Sequence, residues 1–202
     1  MTALFLSSAA WAYYDVMDTG EVLGDGRYKV TAVSELLTSR GGLNAGGIFD
    51  MGFQEQYGLR ALVGVGTTDY NFGALFKWMP VPDTDSQPAV GFNVGLLYAK
   101  IDNDNDLTLR FEPLVSKKFN LEHLVLTPYA SLPISMRNRT STTEDSSSAM
   151  GWQAVVGSQL KIEQWQNIQF MAEAGVDLGS NAYSHVSLGA MWYFDNKGFE
   201  VK

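Results

Sequence analysis

Histidine is scarce in this chain: of its two copies, only His185 has a nucleophile at a useful spacing, Ser187 two residues on. In an extended strand residues i and i+2 share a face, so imidazole and hydroxyl would stand side by side, as a serine nucleophile and its base require. No third group that would orient the imidazole is evident, and both residues fall on the face that carries Gly189. Asp83 and Asp85 lie between prolines and read as a solvated turn. Asp102, Asp104 and Asp106 offer oxygen ligands to a hard cation such as calcium, with weak divalent binding as the most they suggest. They lack the glycine and distal glutamate of an EF-hand loop and read as an exposed hairpin turn. Cysteine is absent, which removes disulfide frameworks and zinc-thiolate sites. The formal charge of −8 disfavours nucleic acid as a partner, and no motif implies a cofactor.

The elements that must position these residues are strands. In 184–194, Val186, Leu188, Ala190, Trp192 and Phe194 share one side and His185, Ser187, Gly189, Met191 and Tyr193 the other. About ten segments repeat this alternation. Outward rows read Phe49, Met51 and Phe53, then Leu59, Ala61, Val63 and Val65, then Tyr70, Phe72, Ala74, Phe76 and Trp78. Val90, Phe92, Val94, Leu96 and Tyr98 make another. The opposite faces are rich in glycine and carry charges of both signs: Asp50, Arg60, Lys77, Arg110, Glu112, Lys161, Glu173 and Asp177. A strand spanning 124–136 is weakened by Pro128 and Pro133, each of which removes a ladder donor. The Ser- and Thr-rich stretch 137–148 reads as a mobile loop, and 80–88, with three prolines and two aspartates, cannot continue a ladder and reads as a loop.

No composition shift marks a second domain, so 26–202 is expected to form one unit. Residues 1–12 end in Ala10-Trp11-Ala12, a small-x-small pattern like the back half of a secretory signal, and 13–25 reads as an irregular lead-in. Mean hydropathy is near zero, and no window could form a spanning helix. Alternating strands escape that test, because every other residue is polar. The outward rows are long, are filled with Phe, Trp, Leu and Val, and would cross a bilayer core when tilted. The expected fold is therefore all-β, a closed antiparallel up-and-down transmembrane β-barrel of about ten strands.

The chain from about Gly26 onward resembles the small outer-membrane β-barrel proteins of Gram-negative bacteria. The sharpest likeness is Ser187-x-Gly189-x-x-Trp192-x-Phe194, similar to the polar-x-Gly-x-x-aromatic-x-aromatic signal that such proteins present to the barrel assembly machinery. It departs from the usual pattern in that eight residues, 195–202, follow the final aromatic. The resemblance implies periplasmic termini, alternating loops with 137–149 outside, and contact with the lipid bilayer and lipopolysaccharide. His185-x-Ser187 also resembles the pair of outer-membrane phospholipase A and lipid A deacylases, which display it to lipid; here its parity is inward. Asp83-x-Asp85 is similar to half of the omptin protease site, without the partner Asp-x-His. Ten strands leave a narrow lumen that side chains nearly fill. Three functions stay open: a structural or interaction barrel with a mostly plugged lumen, a small ion or solute pore lined by the inward charges, and a lipid hydrolase.

Overall fold

The computed structural model describes residues 15–38, 41–67, 69–101, 103–141, 146–165, 168–179, 184–195 and 198–199. The small-x-small pattern at 10–12 lies outside them, as does Asp102. Six strands follow in order: β1 (Arg27–Leu37), β2 (Leu43–Gln54), β3 (Tyr57–Gly66), β4 (Tyr70–Val81), β5 (Ala89–Ile101) and β6 (Asp104–Ser116). Then β7 runs as Leu124–Ser131 and Ile134–Ser141, followed by β8 (Ser147–Ile162), β9 (Ile168–Asp177) and β10 (His185–Asp195). Each pairs antiparallel with the next, and β10 returns to β1 from Arg27↔Asp195 to Leu37↔His185. The ring of ten strands is closed. Closure leaves no unpaired edge, which is what a sheet in hydrocarbon requires.

Alternation decides which face looks where. Along β1, Lys29, Thr31, Val33, Glu35 and Leu37 are buried, while Val30 and Leu36 are exposed. β3 does the same with Arg60 and Leu62 inside and Leu59, Val63 and Val65 outside. A one-residue slip would turn all of these over, so the pattern itself fixes register.

Several loops are shorter than the sequence suggests. Stretch 137–148 is mostly ladder: β7 continues to Ser141 and pairs with β8 from Met136↔Met150 to Arg139↔Ser147. Ser and Thr are β-branched or small enough to sit in strands, and a polar outer end is no obstacle beyond the bilayer. The acidic turn is likewise trimmed, because β6 already begins at Asp104. Proline does not break β7 either. Leu114↔Ser131 and Phe111↔Ile134 hold one register across Leu132 and Pro133, and the Leu132 N–H donates to Pro113 O at 3.4 Å. In 80–88, β4 extends through Pro80 with a bulge between Trp78 and Val81, and a Thr84↔Gln87 bridge tightens the turn.

The largest departure concerns the lead-in. Residues 15–24 form no strand, yet Asp15, Val16, Met17, Asp18 and Thr19 are between 0 and 8 % exposed. The segment lies inside the barrel. It leaves at the rim where β1 starts, turning at Gly26, whose φ of 69° suits glycine.

Candidate functional site

Val16 and Met17 sit in an apolar layer with Val33, Ile48, Leu62, Leu75, Leu97, Leu114, Tyr129, Val155, Met171 and Met191. Small inward residues make the space. A Cβ on Gly189 would lie 2.5 Å from the Met17 methyl, one on Gly91 2.5 Å from the Gly20 carbonyl oxygen, and one on Gly58 3.4 Å from Val22. Met17 has a φ of 39°, a left-handed value that costs a non-glycine residue about 1–3 kcal/mol. In return, consecutive N–H groups converge as in an anion-binding nest. Val16 N–H donates to Glu173 Oε1 at 2.7 Å and Met17 N–H to Oε2 at 2.6 Å. Glu173 also accepts from the Tyr129 hydroxyl at 2.5 Å and lies 3.0 Å from His185 Nε2.

One residue further, Asp18 is the centre of a charge cluster. Its carboxylate meets Arg60 at 3.1 Å, Lys77 at 2.8 Å and Lys29 at 3.8 Å, and accepts from Asn93 at 3.1 Å. Asp50 takes the other side of Lys29 at 3.0 Å and of Arg60 at 2.7 Å. Asn93 continues to Glu112 at 2.9 Å, which pairs with Arg110 at 2.7 Å. Backbone carbonyls join in: Arg60 donates to Val16 O and Met17 O, and Lys77 to Thr19 O. On the wall alone, Lys29 and Arg60 share Asp50, and among the described residues no wall carboxylate forms an ion pair with Lys77. Asp18 supplies the counter-charge, and charges removed from water need such a partner to be tolerated.

The inward charges read from the sequence thus divide. Asp50, Arg60, Lys77, Arg110, Glu112 and Glu173 are all buried within the lumen. Lys161 is exposed at the rim nearest β1 and Asp177 half-buried near the other. Sequence reading missed Lys29 as a member, and missed Asp18 entirely, because an irregular segment has no periodicity to report where it points. A second pair of acids, Asp104 and Asp106, faces Arg139 and Arg137 near the opposite rim, with Arg137 and Arg139 both 3.9 Å from Asp106. Among the described residues no group of three His, Cys, Asp or Glu could hold a metal ion.

His185 and Ser187 do share the inner face, but they are 1 % and 0 % exposed, and His185 meets the same Glu173 that Val16 and Met17 hold. Neither lipid nor water reaches them directly. Asp83 is a turn fastener: Lys117 Nζ and Lys118 N–H donate to its oxygens at 2.8 and 2.9 Å. Of the assembly motif, Ser187 and Gly189 face the lumen, while Phe194 faces out and stacks on Tyr28 at 5.4 Å.

The outer face is the reverse of a soluble surface. Leu188 is 63 % exposed, Val156 61 %, Val63 60 % and Leu96 53 %, with Phe72, Phe76, Trp78 and Trp152 among many others. A contiguous apolar band of this kind round a closed ring, with charges inside, is stable only in lipid. The chain is a transmembrane β-barrel. Rings border its band, as bilayer interfaces favour: Tyr28, Phe49 and Phe194, Phe53, Tyr57 and Phe76, and Trp78 and Phe92 cluster toward the rim where β1 begins, Tyr70, Phe72 and Tyr98 toward the other.

No family model matches the barrel, and no curated protein matches it. Among solved structures it is similar to the N-terminal β-barrel domain of Pseudomonas aeruginosa OprF, at 12 % identity and TM-score 0.38, covering 85 % of this chain and 100 % of that one. It is similar to the KdgM porin at 9 % identity and TM-score 0.43, covering 82 % and 99 %. Ail of Yersinia pestis is similar at 13 % identity and TM-score 0.30, covering 84 % and 99 %.

Proposed function

We propose that this barrel is a structural and interaction element of the bacterial outer membrane, closed to solutes by its own residues 15–24 and acting through the loops of the rim opposite its termini. The observation that carries this reading is the position of Asp18, whose carboxylate completes an ion cluster built from β1, β2, β3 and β4. A segment that a barrel tolerates as passing cargo would not supply the wall's missing counter-charge. The termini lie in the periplasm, the outer band contacts the bilayer and lipopolysaccharide, and Ser187, Gly189, Trp192 and Phe194 serve recognition by the barrel assembly machinery. Gly189 faces Met17 of the internal segment and the outer rings touch lipid, so the same strand that is recognised also closes the ring. The sealed position of His185 and Ser187 argues against a lipid hydrolase.

A small pore is the second reading. It is favoured by a cavity of about 330 Å³ at the terminus-side rim, reaching inward to Asp18 and Thr127. Conductance across planar bilayers separates the two. The purified barrel is expected to give no steady channels; reproducible unitary currents at low voltage would overturn the closed reading.

A further inference from the structure

From the cavity at the terminus-side rim we infer a binding site for a phosphate group, entered from the periplasmic face and from the adjoining lipid. The cavity has a volume of about 330 Å³, within the range of small-ligand pockets. Five cationic and three acidic side chains line it, an excess of two positive charges in a chain whose formal charge is −8. Asp18 and Asp50 are already engaged by Lys29, Lys77 and Arg60, and Glu21 by Lys118 at 3.1 Å. Lys161 alone among the lining cations has no ion pair or hydrogen bond among the described residues, and its ammonium is the one left to meet an anion. Beside it, Gln159 donates to the Gln169 carbonyl and to the Tyr193 hydroxyl, which leaves the Gln169 amide N–H groups to donate to a ligand.

The other wall of the cavity fixes the geometry of approach. Tyr28, Leu59 and Phe194 line it as well, and these belong to the outer, lipid-facing row. A phosphate carried on a phospholipid headgroup could therefore reach Lys161 and Gln169 while its acyl chains stay on the band; a free phosphorylated solute would enter from the mouth. Both present the same chemistry, charge-assisted bonds from an ammonium and an amide to phosphate oxygens.

Calorimetric titration of the barrel in a maltoside detergent tests this with three probes: inorganic phosphate, dihexanoyl phosphatidylglycerol and dihexanoyl phosphatidylcholine. Anionic probes are expected to bind, with affinity about tenfold weaker in Lys161→Glu, from one lost charge-assisted bond and a reversed charge, and retained in Lys161→Arg. Binding of phosphate alone assigns the site to a solute, and binding of the glycerol lipid alone to a headgroup. Equal binding of the choline lipid assigns recognition to the phosphodiester common to both lipids, whereas equal affinity in Lys161→Glu, or no binding of either anionic probe, overturns the proposal. Lys161 is exposed, so both variants should keep the heat-modifiable gel migration of the folded barrel. Conduction by the barrel would sink the closed reading and leave this one standing.

Discussion

Two ion clusters occupy the lumen, and they are built to different tolerances. Around Asp18 every acid has short contacts, from 2.7 to 3.1 Å, with several donors from different strands. Around Asp106 the nearest arginine contacts are 3.9 Å, and neither carboxylate oxygen has a hydrogen-bond partner among the described residues. The first cluster holds a separate piece of chain against β1, β2, β3 and β4. The second joins β6 to β7 toward the opposite rim, where Asp106 is itself buried and only Asp104 and Arg139 keep partial access to water. Tight satisfaction is found where a separate piece of chain must be held, and slack where the pair only joins neighbouring strands already in register.

The sharpest way to break the contrast is Asp18→Ala. It leaves Lys77 without its ion pair and Lys29 and Arg60 sharing Asp50, and removal of one member of a buried ion cluster costs about 3–5 kcal/mol. We expect the largest fall in thermal stability of any single substitution here, together with the appearance of channel openings as residues 15–24 loosen. Asp18→Asn keeps a hydrogen-bond acceptor for Asn93 and should fall between. Stability and conductance indistinguishable from the unsubstituted barrel would mean that the segment is held by packing alone.

Gly91→Val tests the packing side of the same anchor without touching a charge. Its Cβ would lie 2.5 Å from the Gly20 carbonyl, and since that atom is backbone, the internal segment must shift. Overpacking of this kind costs about 1–3 kcal/mol. The shift should be visible as protease sensitivity within 15–24, with the strands still protected. At the looser cluster the prediction is smaller. Arg139→Ala removes a contact to the partly exposed Asp104 and a 3.9 Å contact to the buried Asp106, which keeps Arg137, and should cost about 1–2 kcal/mol. A loss comparable to that of Asp18→Ala would erase the distinction between the clusters.

The unequal legibility of the two faces has the same physical origin. Alternation is a property of strands, so Leu59, Phe72 and Leu188 announce the lipid face and Asp50, Arg60, Glu112 and Glu173 the lumen from the sequence alone. Strand ends were blurred where composition imitates a loop: 137–148 is rich in Ser and Thr, yet it pairs as ladder because nothing in those side chains forbids it. Residues 15–24 were opaque, since a segment without regular structure has no period to read. A trace was nonetheless present. Lys29↔Asp50↔Arg60 is a lateral row in the register of three neighbouring strands, with Lys77 beside Gly58 on the next. Three cations against one acid, beside inward glycines at Gly58 and Gly91, mark a place where an anion from elsewhere must fit. Register had to be known first, and turn lengths alone do not give it.

Outside the membrane, one ion pair titrates in an accessible range and extends the contrast to pH. Partial burial works against the charge on Asp83, but the hydrogen bonds from Lys117 Nζ and Lys118 N–H, with the two ammonium charges, outweigh it and hold the carboxyl below its ordinary 3.8. A group depressed in the folded state contributes stability that is fully present above its unfolded value and is lost as pH falls through the folded one. The turn at 82–88 should therefore stay fastened at neutral pH and begin to loosen only below about pH 4, the ordinary aspartate range. Lys117 also donates to Thr84 O, and Thr84 and Gln87 exchange backbone bonds of 3.0 and 3.2 Å, so the loosening should appear as faster hydrogen exchange at those two amides. Asp83→Asn should exchange fast at every pH and lose the acid-dependent step. Because the pair is local and solvent-accessible, the strands should keep their protection throughout; if acid instead released β4 and β5 together with the turn, this clamp would rank with Asp18 rather than with Asp106.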